Sequence, residues 1–107
     1  MTVKHLIARE NQRPNELIAR TLDVSAVGSG PTSPTLKVYE ITSTAAVDVT
    51  SAVASGTPSV SGNIITTQKV GTLTDGKMYQ VELKFTLSGN VLEYYWILDC
   101  TDERSST

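Results

Sequence analysis

Tyr79-Gln80-Val81-Glu82-Leu83-Lys84-Phe85-Thr86-Leu87, a break at Ser88-Gly89-Asn90, then Val91-Leu92-Glu93-Tyr94-Tyr95-Trp96-Ile97-Leu98-Asp99-Cys100: this stretch decides the fold. In its first arm Tyr79, Val81, Leu83, Phe85 and Leu87 alternate with Gln80, Glu82, Lys84 and Thr86. Successive side chains of a strand leave opposite faces of the pleat, so a period of two marks one buried and one wet face. On the return arm Leu92, Tyr94, Trp96, Leu98 and Cys100 share a face. The two arms form a β-hairpin.

Outward from the hairpin the same chemistry recurs in shorter pieces. Leu6 to Arg9 reads as a short strand, ended by the polar break Glu10-Asn11-Gln12-Arg13-Pro14-Asn15, where Pro14 cannot donate to a ladder. Leu17 to Val24 reads as a strand, with a helix over Glu16 to Leu22 as the alternative. Gly28-Ser29-Gly30-Pro31-Thr32-Ser33-Pro34 is a long connection, because the 27 residues before it are too few for a core of their own. Thr35 to Ile41 is a strand and Val47 to Thr50 a short one. Ala52 to Pro58 has loop chemistry, and Asn63 to Val70 is a strand with a weakly defined inner face. Gly71 and Asp75-Gly76 mark the next turns. About seven short strands with turn signals between them indicate an all-β sandwich. Residues 1–16 are an N-terminal arm or edge strand, residues 17–101 the sandwich, and residues 102–107 a polar tail.

At 107 residues the chain suits one core. Charged residues are 19%, the net charge is −2, and lysines and arginines stand as singles. No basic cluster suits a nucleic acid, and no apolar run suits a membrane or an export signal. The single cysteine, Cys100, makes no internal disulfide, and its place on the apolar face of the last strand favours an inert buried thiol. His5, the only histidine, has no ligand partners near it in the sequence. Asp48, Asp75, Asp99 and Asp102 are too dispersed to argue a calcium cage. The glycines follow neither a P-loop nor a dinucleotide spacing. These readings give no catalytic residue, no cofactor and no metal.

Thr74-Asp75-Gly76-Lys77-Met78-Tyr79-Gln80-Val81 has the form of the corner that opens the sixth strand of immunoglobulin-like domains. There a Tyr two residues before a core position bonds back to the upstream backbone. Asp75 and Gly76 supply the tight turn, Tyr79 the corner and Val81 the core slot; a Tyr that merely begins a buried strand is the alternative. The fold expected is therefore an immunoglobulin-like β-sandwich.

Ser59-Val60-Ser61-Gly62-Asn63, then Leu73 to Val81, then Ser88-Gly89-Asn90-Val91-Leu92-Glu93, together with Leu22-Asp23-Val24-Ser25, resemble small proteins encoded among the structural genes of tailed phages and prophages. The resemblance spans Leu17 to Cys100. The Tyr94-Tyr95-Trp96 run is heavier than that pattern, and the first 16 residues match none of it. The resemblance implies a non-catalytic virion structural or accessory role in the head–tail connector, the tail or a capsid decoration. Other virion proteins or further copies of the chain would be its partners, and it would reside in the virion or, before assembly, in the host cytoplasm. Val91, Tyr95 and Ile97 lie opposite the Trp96 face, where a two-layer sandwich leaves a strand wet, and form the candidate subunit interface. A carbohydrate-binding or adhesin-like module is the alternative, with Tyr39 and Tyr95 as its candidate aromatics.

Overall fold

The computed structural model describes residues 4–101. The expected polar tail at 102–107, and Asp102 with it, lies outside the described residues, as do residues 1–3. The strands are β1 (Lys4–Asn11), β2 (Thr21–Asp23), β3 (Thr32–Ile41), β4 (Ala46–Asp48), β5 (Ser59–Ser61), β6 (Ile64–Thr66), β7 (Met78–Leu87) and β8 (Asn90–Asp99), with a single helical turn α1 at Thr50–Val53. They form a five-stranded sheet of order β1-β8-β7-β3-β4 and a three-stranded sheet of order β2-β6-β5. The two sheets form a β-sandwich whose strand order matches that of immunoglobulin-like domains. β2, β6 and β5 take the B, E and D positions, and β8, β7, β3 and β4 take G, F, C and C′. β1 lies at the G edge, where it runs parallel to β8.

The hairpin dominates the packing. β7 and β8 pair without interruption from Met78↔Asp99 to Leu87↔Asn90. Their connection is the two-residue turn Ser88-Gly89, with φ of 52° and 81°. Two consecutive left-handed residues give a turn whose twist matches the strands it joins. Val81, Leu83, Phe85, Trp96 and Leu98 are all 3% exposed or less and meet Val24, Ile65 and Val70 from the opposite layer. Each such large side chain removed from water contributes about 1.5–3 kcal/mol, which makes this inner face the main source of cohesion.

Several segments differ from expectation: β3 begins at Thr32, inside the connection foreseen over Gly28–Pro34, and β1 runs on through Glu10 and Asn11 into the foreseen break. The strand foreseen over Leu17–Val24 is reduced to Thr21–Asp23, with Ile18 adding one isolated bridge to Val70. The ladder breaks between them because the Arg20 N–H goes to the Thr67 hydroxyl at 2.9 Å. The strand foreseen at Val47–Thr50 is Ala46–Asp48, and Thr50 opens α1 inside what reads as strand and loop. Asp48 turns the chain there, its carboxylate accepting both the N–H (3.0 Å) and the hydroxyl (2.7 Å) of Thr50. The expected strand over Asn63–Val70 is reduced to Ile64–Thr66.

The N-terminal residues are built into the sheet. A bulge between Leu6 and Ala8 rephases β1, so that Ile7 and Ala8 pack on the core while Leu6 and Arg9 face outward beside Tyr95 and Ile97. β1 is then anchored by a buried polar knot. Gln12, fully buried, donates through Nε2 to the carbonyls of Val70 (2.7 Å) and Glu16 (3.1 Å). Its Oε1 accepts from Arg20 Nη2 at 2.9 Å, and Arg20 Nε reaches Glu10 at 2.8 Å. Close by, Gly71 leaves no room for a side chain: a Cβ there would lie 2.5 Å from Leu17 Cδ1 and 2.9 Å from the Glu16 carbonyl oxygen.

Candidate functional site

The three-stranded sheet covers one face of the five-stranded sheet, and no other layer of the described residues covers the second. Cross-strand register sets what that outer face presents. Leu6, Tyr95, Glu82 and Lys37 lie in one row across the strands, and Arg9, Ile97, Gln80, Tyr39 and Asp48 in the next. Glu93, Lys84 and Thr35 form a third row, and Val91 and Thr86 a fourth. Leu6 and Val91 are 55% and 52% exposed, while Tyr95 and Ile97 are half-buried. The structure therefore brings Val91, Tyr95 and Ile97 to one face, with Glu93 between the first two. It adds Leu6, which the sequence reading did not single out because only its pairing with Tyr95 places it there.

Two shallow clefts flank Tyr39 on this face. One, of about 180 Å³, is lined by Thr35, Lys37, Tyr39, Glu82, Lys84 and Glu93. The other, of about 240 Å³, lies among Tyr39, Ile41, Ala46, Gln80 and Glu82. Gln80 Nε2 donates to Glu82 at 2.7 Å, and Lys84 Nζ stands 3.9 Å from Glu93 Oε1. Glu93 Oε2 is buried without a hydrogen-bond partner. At the edge, Arg9 holds Asp99 through two bonds of 2.7 and 2.9 Å. That guanidinium keeps the Asp99 carboxyl below its ordinary range.

The corner residues sit together at one end of the sandwich. Gly76, at φ 86°, donates its N–H to the Cys100 carbonyl at 2.7 Å, which closes the Asp75-Gly76 turn onto the end of β8. Tyr79 is 2% exposed, and its hydroxyl accepts the N–H of Thr74 at 2.9 Å. These contacts tie the loop before β7 to the hairpin core and are structural in character.

Chemically reactive groups are dispersed. Cys100 is buried, and burial pushes its thiol pKa up, with a smaller contribution from Asp75. His5 lies against the Tyr94 ring at a centroid distance of 4.9 Å. Asp48 holds Thr50, and Asp99 holds Arg9. Among the described residues no three His, Cys, Asp or Glu side chains gather as a metal site, and no helix is long and apolar enough to cross a membrane. A third concavity, of about 400 Å³ beside α1, is an open basin of small Ser, Ala and Thr side chains with Leu17 and Lys69 at its rim. The knot of Glu10, Gln12 and Arg20 went unread in the sequence, where those residues look like a solvated break. No protein-family model matches the chain, and comparison with curated proteins finds no match.

Proposed function

We propose that this chain is a non-catalytic assembly module of a phage or prophage particle, a head–tail connector, tail or capsid-decoration component acting through protein–protein contacts. The observation that carries the reading is the uncovered outer face of the five-stranded sheet. There Val91, Tyr95 and Ile97, joined by Leu6, form an apolar stripe broken at Glu93 and bordered by charge. Apolar groups concentrated on a flat, rigid face with a polar border are the usual makings of a protein contact. The sequence resemblance over Leu17 to Cys100 supplies the particle. A carbohydrate-binding role is the second reading, favoured by the polar cleft beside Tyr39.

Two experiments test the first reading. Cells carrying the gene are induced for lysis, and purified particles are analysed by mass spectrometry. Stoichiometric recovery of the chain is expected, whereas intact particles that lack it overturn the reading. In parallel, a Tyr95→Ser, Ile97→Thr double variant is expected to fold with little change in melting temperature and to be lost from particles. Unimpaired incorporation would remove the stripe from the contact.

A further inference from the structure

We infer that the outer face of the five-stranded sheet is self-complementary and packs on the same face of a second copy about a two-fold axis. The inference rests on the assembly reading above and names the partner at that face. It follows from the order of side chains around one line, drawn across the strands between the Tyr95/Glu82 row and the Glu93/Lys84 row.

On β8 the sequence outward from that line is Glu93 then Val91 on one side, and Tyr95 then Ile97 on the other. A two-fold rotation about the line turns the face over and exchanges its two sides. Val91 of one copy then meets Ile97 of the second, and Ile97 meets Val91. On β7 the line separates Lys84 from Glu82, so each lysine meets the opposite charge in the second copy. The match is carried by these two pairs, Val91 with Ile97 and Lys84 with Glu82, each made twice as an isologous contact requires, while the same rotation sets Glu93 against Tyr95 and Leu6 against the Lys4 position. Lys84 has its side chain 56% exposed and only a long 3.9 Å approach to Glu93, so it is available to reach across.

The area is sufficient. β3, β7 and β8 each have ten residues, about 33 Å at 3.3 Å per residue, and five strands span roughly 20 Å at 4.8 Å spacing. A face of roughly 600 Å² per copy gives about 1,200 Å² in total, at the lower edge of stable specific interfaces. Two sheets meeting face to face do so aligned within about 30°, which keeps the opposed rows in reach. A reversible dimer is the form expected.

The test is sedimentation velocity of the full chain from micromolar to millimolar concentration, with charge-reversed variants mixed. Lys84→Glu and Glu82→Lys are each expected to weaken the dimer tenfold or more. In an equimolar mixture of the two, each copy carries the charges that match the other, so dimers re-form as heterodimers. Rescue by mixing cannot come from a pair within one copy. Retention of the Trp96 fluorescence of the native state confirms folding. If either variant unfolds, Val91→Asp at the exposed end of the stripe provides the same tenfold loss to look for. A wild-type chain that stays monomeric at millimolar concentration overturns the second copy as partner but leaves particle incorporation, measured separately, intact. A dimer indifferent to the reversals, or not restored by mixing, overturns the face.

Discussion

Replacing Tyr79 by Phe isolates one hydrogen bond whose worth can be estimated from the structure. The ring is 2% exposed and keeps its place in the core, since Phe fills the same volume. What disappears is the acceptor for the Thr74 N–H at 2.9 Å. A hydrogen bond contributes about 0.5–1.5 kcal/mol net, and an amide left without a partner costs about 1–3 kcal/mol when water cannot reach it. Thr74 itself is exposed, so solvent recovers part of the loss and about 1–2 kcal/mol remains. The assay is urea unfolding followed by the fluorescence of Trp96, the only tryptophan, itself 3% exposed and therefore sensitive to loss of the core. With a slope of about 1–1.5 kcal/mol per molar urea for a domain this small, the midpoint should fall by about 1 M at constant slope. A shift below about 0.2 M would refute the idea that the corner bond stabilises the loop, and would reduce Tyr79 to a buried ring.

Three further outcomes are expected. Gln12→Ala should destabilise by about 2–3 kcal/mol, because it strips Arg20 Nη2 of its acceptor in a buried setting where Nη1 already has none; in a double-mutant cycle with Arg20→Met a coupling above about 0.5 kcal/mol is expected, and additive effects would refute the knot. Cys100 should react with a neutral alkylating reagent at least about a thousandfold more slowly in buffer than in denaturant, since its reaction requires opening; comparable rates would place the thiol at the surface. Stability should hold down to about pH 4 and decline below it. The carboxyls of Asp23 and Asp48 are held below their ordinary range by hydrogen bonds from Ser25 and Thr50, and a depressed folded-state pKa gives stability that is present above the unfolded value and lost as pH falls through the folded one. An Asp23→Asn, Asp48→Asn double variant should flatten that decline in urea midpoints measured from pH 2 to 6, and an unchanged acid slope would refute the assignment.

What could be read from the sequence follows the range of the interactions concerned. The β7–β8 hairpin is legible because its signal is local: ten residues of alternation, a two-residue turn, and ten more. β3 is legible for the same reason from Thr35 on, but its first residues, Thr32–Pro34, are hidden by loop chemistry and a register shift before Thr35. The short sheet is not, because β2 and β6 are three residues each and stop where the Arg20 N–H turns to the Thr67 hydroxyl and the Thr67 N–H to the Arg20 carbonyl. α1 is a single turn set by the Asp48 carboxylate, too short for any periodicity to announce it. Gln12 is the extreme case. Its partners are Glu16, Arg20 and Val70, the last 58 residues away, so the polar break that contains it gives no local sign of burial. On the outer face, Val91, Tyr95 and Ile97 are legible from alternation and Tyr39 as a candidate aromatic, whereas Leu6 and the charge rows depend on a register that only the assembled sheet defines.

The parallel pairing of β1 with β8 has a mechanical consequence. The first and last strands lie side by side and run the same way, so the chain enters their ladder at one end of the sheet and leaves it at the other. Tension applied through the two termini therefore drags the neighbours past each other along their length. It strains the bonds from Lys4↔Glu93 to Asn11↔Asp99 together, where an antiparallel pair held at the same end would open one bond at a time. Loaded along its backbone, the domain resists in shear, as a lap joint does.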